Sequence, residues 1–275
     1  MKKKHRILLV DIIAMFFCLV IFTAPFYFIF INSVKNRREA GLMNLDWPGF
    51  FHLENYAEVI ATQNYMLIRA FYNSIVITAG SILLLVAVCS LGGYILQRVS
   101  NKLMTGINFM ILTGLMLPPA ILPTIWVMDL IGIYRSLFGM ILVEVALNIP
   151  FTVMLYRGYT ASIPREIEEA AYVDGCNSAR LFGQIIFPLL LPVTATVTVL
   201  SSVNIFNDFV NPLYFLPGGK NPTAQLTLYN FMGRYASSWN LLFANVVLIT
   251  IPPLLLFIFF NKKIIAGITA GAVKG

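Results

Sequence analysis

Several polar side chains interrupt long apolar segments of this sequence, and their chemistry suits a ligand that carries many hydroxyl groups. Glu144 and Asn148 lie four residues apart, so they share one face of a helix. A second cluster follows another apolar segment and consists of Asn204, Asn207, Asp208 and Phe209. Amides and carboxylates form hydrogen bonds with hydroxyls, and aromatic rings offer apolar faces for packing. We therefore predict that these six side chains line a polar pathway.

The residue types needed for catalysis or for metal binding are sparse and scattered. The cysteines form no CxxC pair, the two histidines are isolated, and no nucleophile–base constellation is apparent. The segment PGGK at 217–220 lacks the earlier glycine of a phosphate-binding loop and is followed by Asn221 rather than by Ser or Thr. We predict no catalytic residue, no metal site and no cofactor on this chain.

The composition indicates that lipid is the natural solvent of this chain. Of the 275 residues, 59% are hydrophobic and 11% are charged, and the mean hydropathy is +0.81. About a quarter of the residues of a soluble domain are charged, so a soluble fold of this chain would expose large apolar patches. The net charge of +7 is spread between apolar segments rather than along one basic face, which argues against nucleic acid as a partner.

Six segments are long and apolar enough to cross a membrane as helices, because about 20 residues span the hydrocarbon core. Their predicted limits are residues 7–31, 75–96, 103–121, 137–155, 189–206 and 241–260. A further apolar stretch, about 120–133, follows Pro118-Pro119 and is broken by Pro123, so we predict a broken or interfacial helix at the outer mouth. The predicted fold class is an all-α membrane protein in which residues 1–275 form one transmembrane domain.

Six spans place both termini on the same side of the membrane, and the basic residues indicate which side. With the N-terminus inside, 12 of the 19 Lys and Arg residues are cytoplasmic, namely Lys2, Lys3, Lys4, Arg6, Arg98, Lys102, Arg157, Arg165, Arg180, Lys262, Lys263 and Lys274. The outer side keeps Lys35, Arg37, Arg38, Arg69, Arg135, Lys220 and Arg234. Cytoplasmic loops carry an excess of basic residues, which predicts that both termini are inside.

The polar residues of the spans have two interpretations that the sequence leaves open. A charged or amide side chain in lipid is costly, so each one is a candidate for function. Glu144 could instead lie near the outer interface or pair locally for packing. Residues 204–211 could be a polar helix end with interfacial aromatic residues.

The predicted cytoplasmic loop between the fourth and fifth spans, residues 158–188, is the most charged part of the chain. Three glutamates follow a proline and suit the first turn of a helix, where the helix dipole favours negative charge. Gly175 suits the end of that helix, because glycine readily adopts the left-handed conformation. Asn177 or Ser178 can then begin a second short helix that runs to Phe187. This pattern predicts a helix–turn–helix on the cytoplasmic face.

The side chains of this loop suit contact with another protein. Ala170 and Ala171 would allow a partner to approach closely, while Tyr172, Leu181 and Phe182 are apolar side chains that could fill a socket on it. The alternative is an amphipathic helix that rests on lipid headgroups.

The same loop resembles a known signature. The segment Glu169-Ala170-Ala171-x-x-x-Gly175, followed by Ile185-x-Phe187-Pro188, resembles the EAA motif of ABC importer permeases. Other segments resemble maltose-type carbohydrate permeases, and these are Asn32-Ser33-x-Lys35, Leu117-Pro118-Pro119, Asn207-Asp208-Phe209-x-x-Pro212-Leu213 and Gly267-Ile268-Thr269-x-Gly271-Ala272-x-Lys274-Gly275. The chain departs from the usual pattern at Phe187 (usually Leu), at Cys176 (usually Ala) and at Ile205-Phe206 (usually an aromatic pair ending in Trp).

This resemblance implies the six-span fold of a type I ABC importer permease in the cytoplasmic membrane of a bacterium or archaeon. The implied partners are a second homologous permease, two cytoplasmic ATPase subunits that hold ATP and magnesium, an extracellular sugar-binding protein and a carbohydrate, in particular an oligosaccharide. The implied ATPase-coupling residues are Glu169, Ala170, Ala171, Asp174, Gly175, Phe182 and Pro188. The outer loop with Gly218, Gly219 and Lys220 either contacts the binding protein or is an ordinary turn.

Two other functions stay open from the sequence. The same machine could carry a solute that is not a sugar, or the chain could be an ion-coupled secondary transporter. The second alternative is disfavoured because the spans lack the ladder of carboxylates that proton- or sodium-driven carriers usually contain.

Overall fold

A computed structural model of the chain describes residues 2–229 and 238–272, and Arg234, Lys274 and Gly275 lie outside them. The helices, in chain order, are α1 (Lys2–Ser33), α2 (Arg37–Gly41), α3 (Glu54–Arg98), α4 (Lys102–Met116), α5 (Ile121–Leu130), α6 (Leu137–Thr160), α7 (Glu166–Val173), α8 (Ser178–Leu189), α9 (Leu191–Phe206), α10 (Val210–Phe215) and α11 (Trp239–Ala272). The described residues contain no strand, which confirms the predicted all-α class.

Six spans are predicted, and the described helices account for three crossings, or for up to five if each bent pair is one span. Helices α3, α6 and the Trp239–Phe259 part of α11 are each long and apolar enough to cross a membrane. Two bent pairs, α4 with α5 and α8 with α9, raise the count to five if each pair makes one crossing. The described apolar part of α1, Phe17–Ser33, is shorter. The second, fourth and sixth predicted spans therefore correspond to single helices, and six crossings are not counted directly among the described residues.

Prolines coincide with both bends. Helix α4 ends at Met116, and α5 lies at 118° to it beyond Pro118-Pro119, since proline cannot continue a helix and disfavours helical backbone before it. The predicted short helix after Pro118-Pro119 is therefore present as α5, but Pro123 lies in its first turn and does not break it. The third predicted span, 103–121, instead ends as a helix at Met116. The bend of 69° between α8 and α9 precedes Pro192, which lies in the first turn of α9, where its missing N–H has no intrahelical partner to lose.

The described residues pack as two compact units. The first comprises Met1–Ile68 and Ala224–Ile251, and the second comprises Arg69–Thr223 and Pro252–Gly275. In the first unit α3 is interrupted at Thr62–Tyr65, where three consecutive non-glycine residues have φ values of 52°, 56° and 58°. Each left-handed residue costs about 1–2 kcal/mol, so the surrounding packing must hold this break in place.

A buried lysine organises the polar part of the first unit. Lys35 is 1% exposed, and its Nζ donates to Asn44 Oδ1 (2.7 Å), to the Asn44 carbonyl (3.0 Å) and to Asn32 Oδ1 (3.2 Å). The Asn55 amide donates to the carbonyls of Ser33 (2.8 Å) and Lys35 (2.9 Å). Because a buried cation is costly unless it is hydrogen-bonded, this network holds the end of α1 to the start of α3.

The second unit contains an apolar core to which α3, α6, α8 and α9 contribute. Helix α6 packs against α4, α9 and α10. Tyr156 of α6 is fully buried, and its hydroxyl donates to Thr194 Oγ1 in α9 at 3.0 Å. The predicted pathway, coupling and outer-loop residues all belong to this unit.

Helices α3 and α6 approach each other closely at Gly93. A Cβ atom at this position would lie 2.6 Å from the Tyr156 Cβ and 2.9 Å from the Arg157 backbone nitrogen. Small residues allow membrane helices to approach in this way. One turn along, the Arg157 guanidinium donates to Gln97 Oε1 of α3 at 3.3 Å and to Asn108 Oδ1 of α4. The three helices are therefore joined at this end by close packing and by hydrogen bonds.

The close approach at Gly93 can be tested with a single methyl group. We expect Gly93→Ala to destabilise the protein by about 1–3 kcal/mol, because the new methyl group overlaps backbone atoms that cannot rotate away. Gly92→Ala is the matched control, since a Cβ there meets only Val153 Cγ2 at 3.9 Å. Thermal unfolding of the purified protein in detergent measures the difference. Equal midpoints for the two variants would contradict the close approach.

Candidate functional site

A cavity of about 820 Å³ brings together the residues that the sequence suggests for a pathway. All six predicted residues line it, and so does Asn211, which lies in the same polar segment of the sequence. The remaining lining residues are apolar, namely Leu147, Val199, Leu200, Val203, Val210 and Phe257. The cavity therefore combines a polar cluster with apolar walls, and its polar members come from α6, from the end of α9 and the turn after it, and from the start of α10.

Helix α6 presents two of the polar groups on one face. Glu144 is 2% exposed, and its Oε1 atom has no hydrogen-bond partner among the described residues. Asn148, one turn later, donates from Nδ2 to the Glu144 carbonyl at 2.8 Å. Asn204 of α9 donates from Nδ2 to Asn148 Oδ1 at 3.0 Å. This amide–amide bond links the two helices across the cavity.

The Asp208 carboxylate is already engaged by the chain. Its Oδ1 accepts hydrogen bonds from the backbone nitrogens of Val210 (2.9 Å) and Asn211 (3.2 Å), and its Oδ2 accepts one from the Asn211 side chain at 2.6 Å. These bonds satisfy backbone N–H groups at the start of α10, as an N-terminal cap does. The Asp208 carboxyl also interacts with that of Glu144. Asp208 thus shapes the turn after α9 as well as contributing charge to the cavity.

This arrangement suits a neutral ligand with many hydroxyl groups. Amide side chains offer both donors and acceptors, and carboxylates accept from hydroxyls. Apolar walls can pack against the C–H surface of such a ligand. The predicted residues Asn207 and Phe209 lie in the turn that closes this side of the cavity.

The helix–turn–helix predicted within residues 158–188 is present in the structure. Helix α7 ends in a left-handed turn at Gly175, whose φ is +81°. The Gly175 nitrogen bonds to the Tyr172 carbonyl (3.0 Å) and the Cys176 nitrogen to the Ala171 carbonyl (2.9 Å), which is the Schellman pattern. Asn177 caps α8 through a bond from the Arg180 nitrogen to its Oδ1 at 2.9 Å.

The predicted coupling residues differ in exposure. Glu169, Ala170, Asp174, Gly175 and Pro188 are exposed, whereas Ala171 is 5% exposed and packs in the apolar core. Only one alanine of the pair therefore faces outward. The end of α7 also exposes two apolar side chains, Tyr172 (52%) and Val173 (88%), and Val173 was not suggested by the sequence.

Leu181 and Phe182, the other apolar residues predicted to fill a socket on a partner protein, pack against this chain instead. Leu181 is 1% exposed, so the prediction that it fills a socket on a partner was wrong. An amphipathic helix must bury one side of each turn, and Leu181 lies on the buried side of α8. Phe182 is half-buried, with its ring 5.6 Å from that of Tyr94 in α3 and 6.2 Å from that of Phe187.

The structure shows contacts of this loop that sequence reasoning missed. Arg98 and Tyr94 of α3 both bond to Glu168 of α7. The sequence contains little indication that these side chains pair. Arg98 resembles an ordinary basic residue after a span, and Glu168 is one of three glutamates in the first turn of a helix.

The outer loop with Gly218, Gly219 and Lys220 is exposed at all three positions. Both glycines have positive φ, +93° and +71°, which explains why side-chain-bearing residues are disfavoured there. The loop is anchored at its far end, where Asn221 donates to the Arg135 carbonyl at 3.1 Å and Asn73 donates to the Pro222 carbonyl at 2.9 Å.

No cluster of three or more His, Cys, Asp or Glu side chains that could hold a metal ion occurs within the part of the chain that the structure describes.

Comparison with known proteins supports a common family. Residues 89–270 match the family described as "Binding-protein-dependent transport system inner membrane component". The chain is 33% identical over 257 residues to the "Probable starch degradation products transport system permease protein AmyC" of Thermoanaerobacterium thermosulfurigenes, covering 93% of each chain. It is 33% identical over 256 residues to the "Melibiose/raffinose/stachyose import permease protein MelC" of Bacillus subtilis (strain 168), covering 91% of each chain.

The fold is also similar to solved structures. One is titled "Crystal structure of a bacterial ABC transporter involved in the import of the acidic polysaccharide alginate", with a TM-score of 0.83 at 19% identity, covering 95% of this chain and 98% of that chain. This likeness confirms the predicted permease fold. Because the family match spans more than half of the sequence, the chain belongs to the binding-protein-dependent transport system inner membrane components.

Proposed function

We propose that this chain is the translocation subunit of an ATP-driven importer of carbohydrate, in particular of oligosaccharides. It pairs with a second homologous permease, two cytoplasmic ATPase subunits and an extracellular sugar-binding protein. ATP and magnesium are held by the ATPase subunits, and this chain contributes the path through the membrane.

One observation carries the substrate class. Two relatives that align with more than nine-tenths of the chain are permeases named for starch degradation products and for melibiose, raffinose and stachyose. The cavity between α6 and the end of α9 is consistent with such a substrate, because it combines amides and carboxylates with apolar walls. Its volume of about 820 Å³ is within the range of small-molecule sites.

The cytoplasmic loop suits the transfer of motion from the ATPases. Helix α7 and its Schellman turn form a rigid projection with an exposed apolar end at Tyr172 and Val173. An exposed apolar patch rimmed by charge is typical of a contact with another protein. On this proposal, closure of the ATPase dimer displaces α7, and the attached helices α6 and α9 then switch the cavity between the two sides of the membrane.

Identification of the co-purifying proteins tests the proposed function. The chain is purified from native membranes in mild detergent, and its partners are identified. We expect a phosphate-loop ATPase, a second permease and a secreted binding protein, and a panel of sugars, polyols, amino acids and peptides then tests what that binding protein holds. Preference for a non-sugar solute would replace the substrate class alone. Uptake driven by an ion gradient without ATPase subunits would replace the whole proposal.

The cavity amides provide a test of the translocation path. We expect Asn148→Ala and Asn204→Ala each to lower the maximal rate of sugar uptake about tenfold, because a lost hydrogen bond to substrate costs about 1–2 kcal/mol. The apparent KM should change little, since the separate binding protein captures the substrate. Asn101→Ser is the control, because it removes an amide outside the cavity and keeps the N-terminal cap of α4. Unchanged uptake in both cavity variants would contradict this path.

The predicted coupling surface provides a second test. We expect Glu169→Arg or Gly175→Glu to abolish sugar-dependent uptake and sugar-stimulated ATP hydrolysis while the chain still inserts in the membrane. A like-charge contact across an interface costs several kcal/mol, and at Gly175 any side chain is strained by the positive φ. Glu166→Arg is the matched control for Glu169→Arg, because Glu166 is also exposed and lies in the same turn. Normal coupling in both test variants would contradict the proposal that this loop contacts the ATPase subunits.

A further inference from the structure

An ion pair outside the predicted coupling residues joins the cytoplasmic loop to α3. Arg98, the last residue of α3, donates from Nε to Glu168 Oε1 at 2.5 Å and from Nη2 to the Ile163 carbonyl at 2.7 Å. Tyr94, one turn earlier, donates from its hydroxyl to Glu168 Oε2 at 2.9 Å. Both oxygens of one carboxylate in α7 are thus held by side chains of α3.

The burial of Glu168 calls for an explanation beyond the helix dipole. Glu166, Glu168 and Glu169 all lie in the first turn of α7, where any of them would interact favourably with the dipole. Only Glu168 is buried, and the side chains of Glu168 and Arg98 are each 11% exposed. A buried charge is tolerated only when it is paired and hydrogen-bonded, and removing one partner is strongly destabilising. The pair is therefore a defined connection rather than a solvated surface contact.

The geometry of the connection resists rotation as well as separation. On the side of α3 it uses two residues a turn apart, Tyr94 and Arg98. On the side of the loop it uses the Glu168 carboxylate inside α7 and the Ile163 carbonyl before it. Two attachment points on each side prevent α7 from pivoting about a single bond. Charge-assisted hydrogen bonds of this kind are roughly twice as strong as neutral ones.

This ion pair is a third attachment through which a displacement of α7 can reach other helices. Along the chain, α7 is attached to α6 before it and to α8 and α9 after it. The backbone alone would pass a displacement of α7 to those helices only. The Arg98–Glu168 pair attaches α7 directly to the end of α3, a separate helix that is long and apolar enough to cross a membrane.

We propose that Arg98 is a positioning residue for energy coupling. Through Glu168 it makes α7 and the cytoplasmic end of α3 move as one body, so that a displacement of α7 by the ATPases reaches α3 as well as α6 and α9. This inference rests on the proposed function, which supplies the displacement.

The contribution of the Arg98–Glu168 pair to coupling can be measured in proteoliposomes that contain the complete transporter. The measured quantity is the ratio of sugar molecules imported to ATP molecules hydrolysed. We expect Glu168→Gln and Arg98→Gln each to lower this ratio about threefold, with no further loss in the double variant, because two residues that act as one unit are non-additive. Independent roles would instead give about a ninefold loss in the double variant and would overturn the proposal. Glu166→Gln, which removes a charge from the same turn, is the control and should keep the ratio of the unmodified protein.

A distance measurement separates this role from simple stabilisation. Spin labels at Val99 and Arg165, both exposed, report the separation between the end of α3 and the start of α7. We expect that separation to stay the same when ATP is trapped in the unmodified transporter, and to change on trapping in the Arg98→Gln variant. A separation that changes on trapping in the unmodified transporter would overturn the proposal, as would unchanged import ratios. Absence of binding-protein-stimulated ATP hydrolysis in the unmodified complex would instead overturn the proposed function.

Discussion

Lipid supplies no hydrogen bonds, so every polar group that a membrane helix carries must be satisfied by the chain itself or must face a cavity. In this protein several polar side chains connect separate segments of the chain. Lys35 holds the end of α1 through Asn32 and Asn44. Arg157 joins α6 to α3 and α4. Helices α3 and α6 can approach closely because Gly93 of α3 leaves room for backbone atoms of α6.

The cavity shows how one group serves both structure and function. Asp208 satisfies backbone nitrogens at the start of α10, and in doing so it fixes the turn that presents Asn207 and Phe209 to the cavity. The Asn148–Asn204 bond similarly links two helices while leaving amide groups at the cavity surface. The shape of the cavity therefore depends on the relative position of α6 and α9, because moving either helix strains these bonds.

The loop that contains α7 and α8 is attached in the same way. Its outward side offers Glu169, Ala170 and the apolar end of α7, while its inward side is held by Arg98 and by the packing of Leu181 and Phe182. Exposed residues can thus serve a partner without loosening the attachment to the helices.

The sequence by itself determined the all-α class, the separate short helix after Pro118-Pro119 and the end of α7 at Gly175, because hydropathy and local backbone chemistry specify these features. It also suggested five polar residues that line the cavity, Glu144, Asn148, Asn204, Asn207 and Asp208, since the cost of polar side chains in lipid marks them. Only the tertiary structure decided that Glu168 rather than Glu169 is buried and that Leu181 faces inward. Side-chain direction depends on neighbours from distant segments, and Arg98 lies 70 residues from Glu168 along the chain, so no local pattern could have paired them.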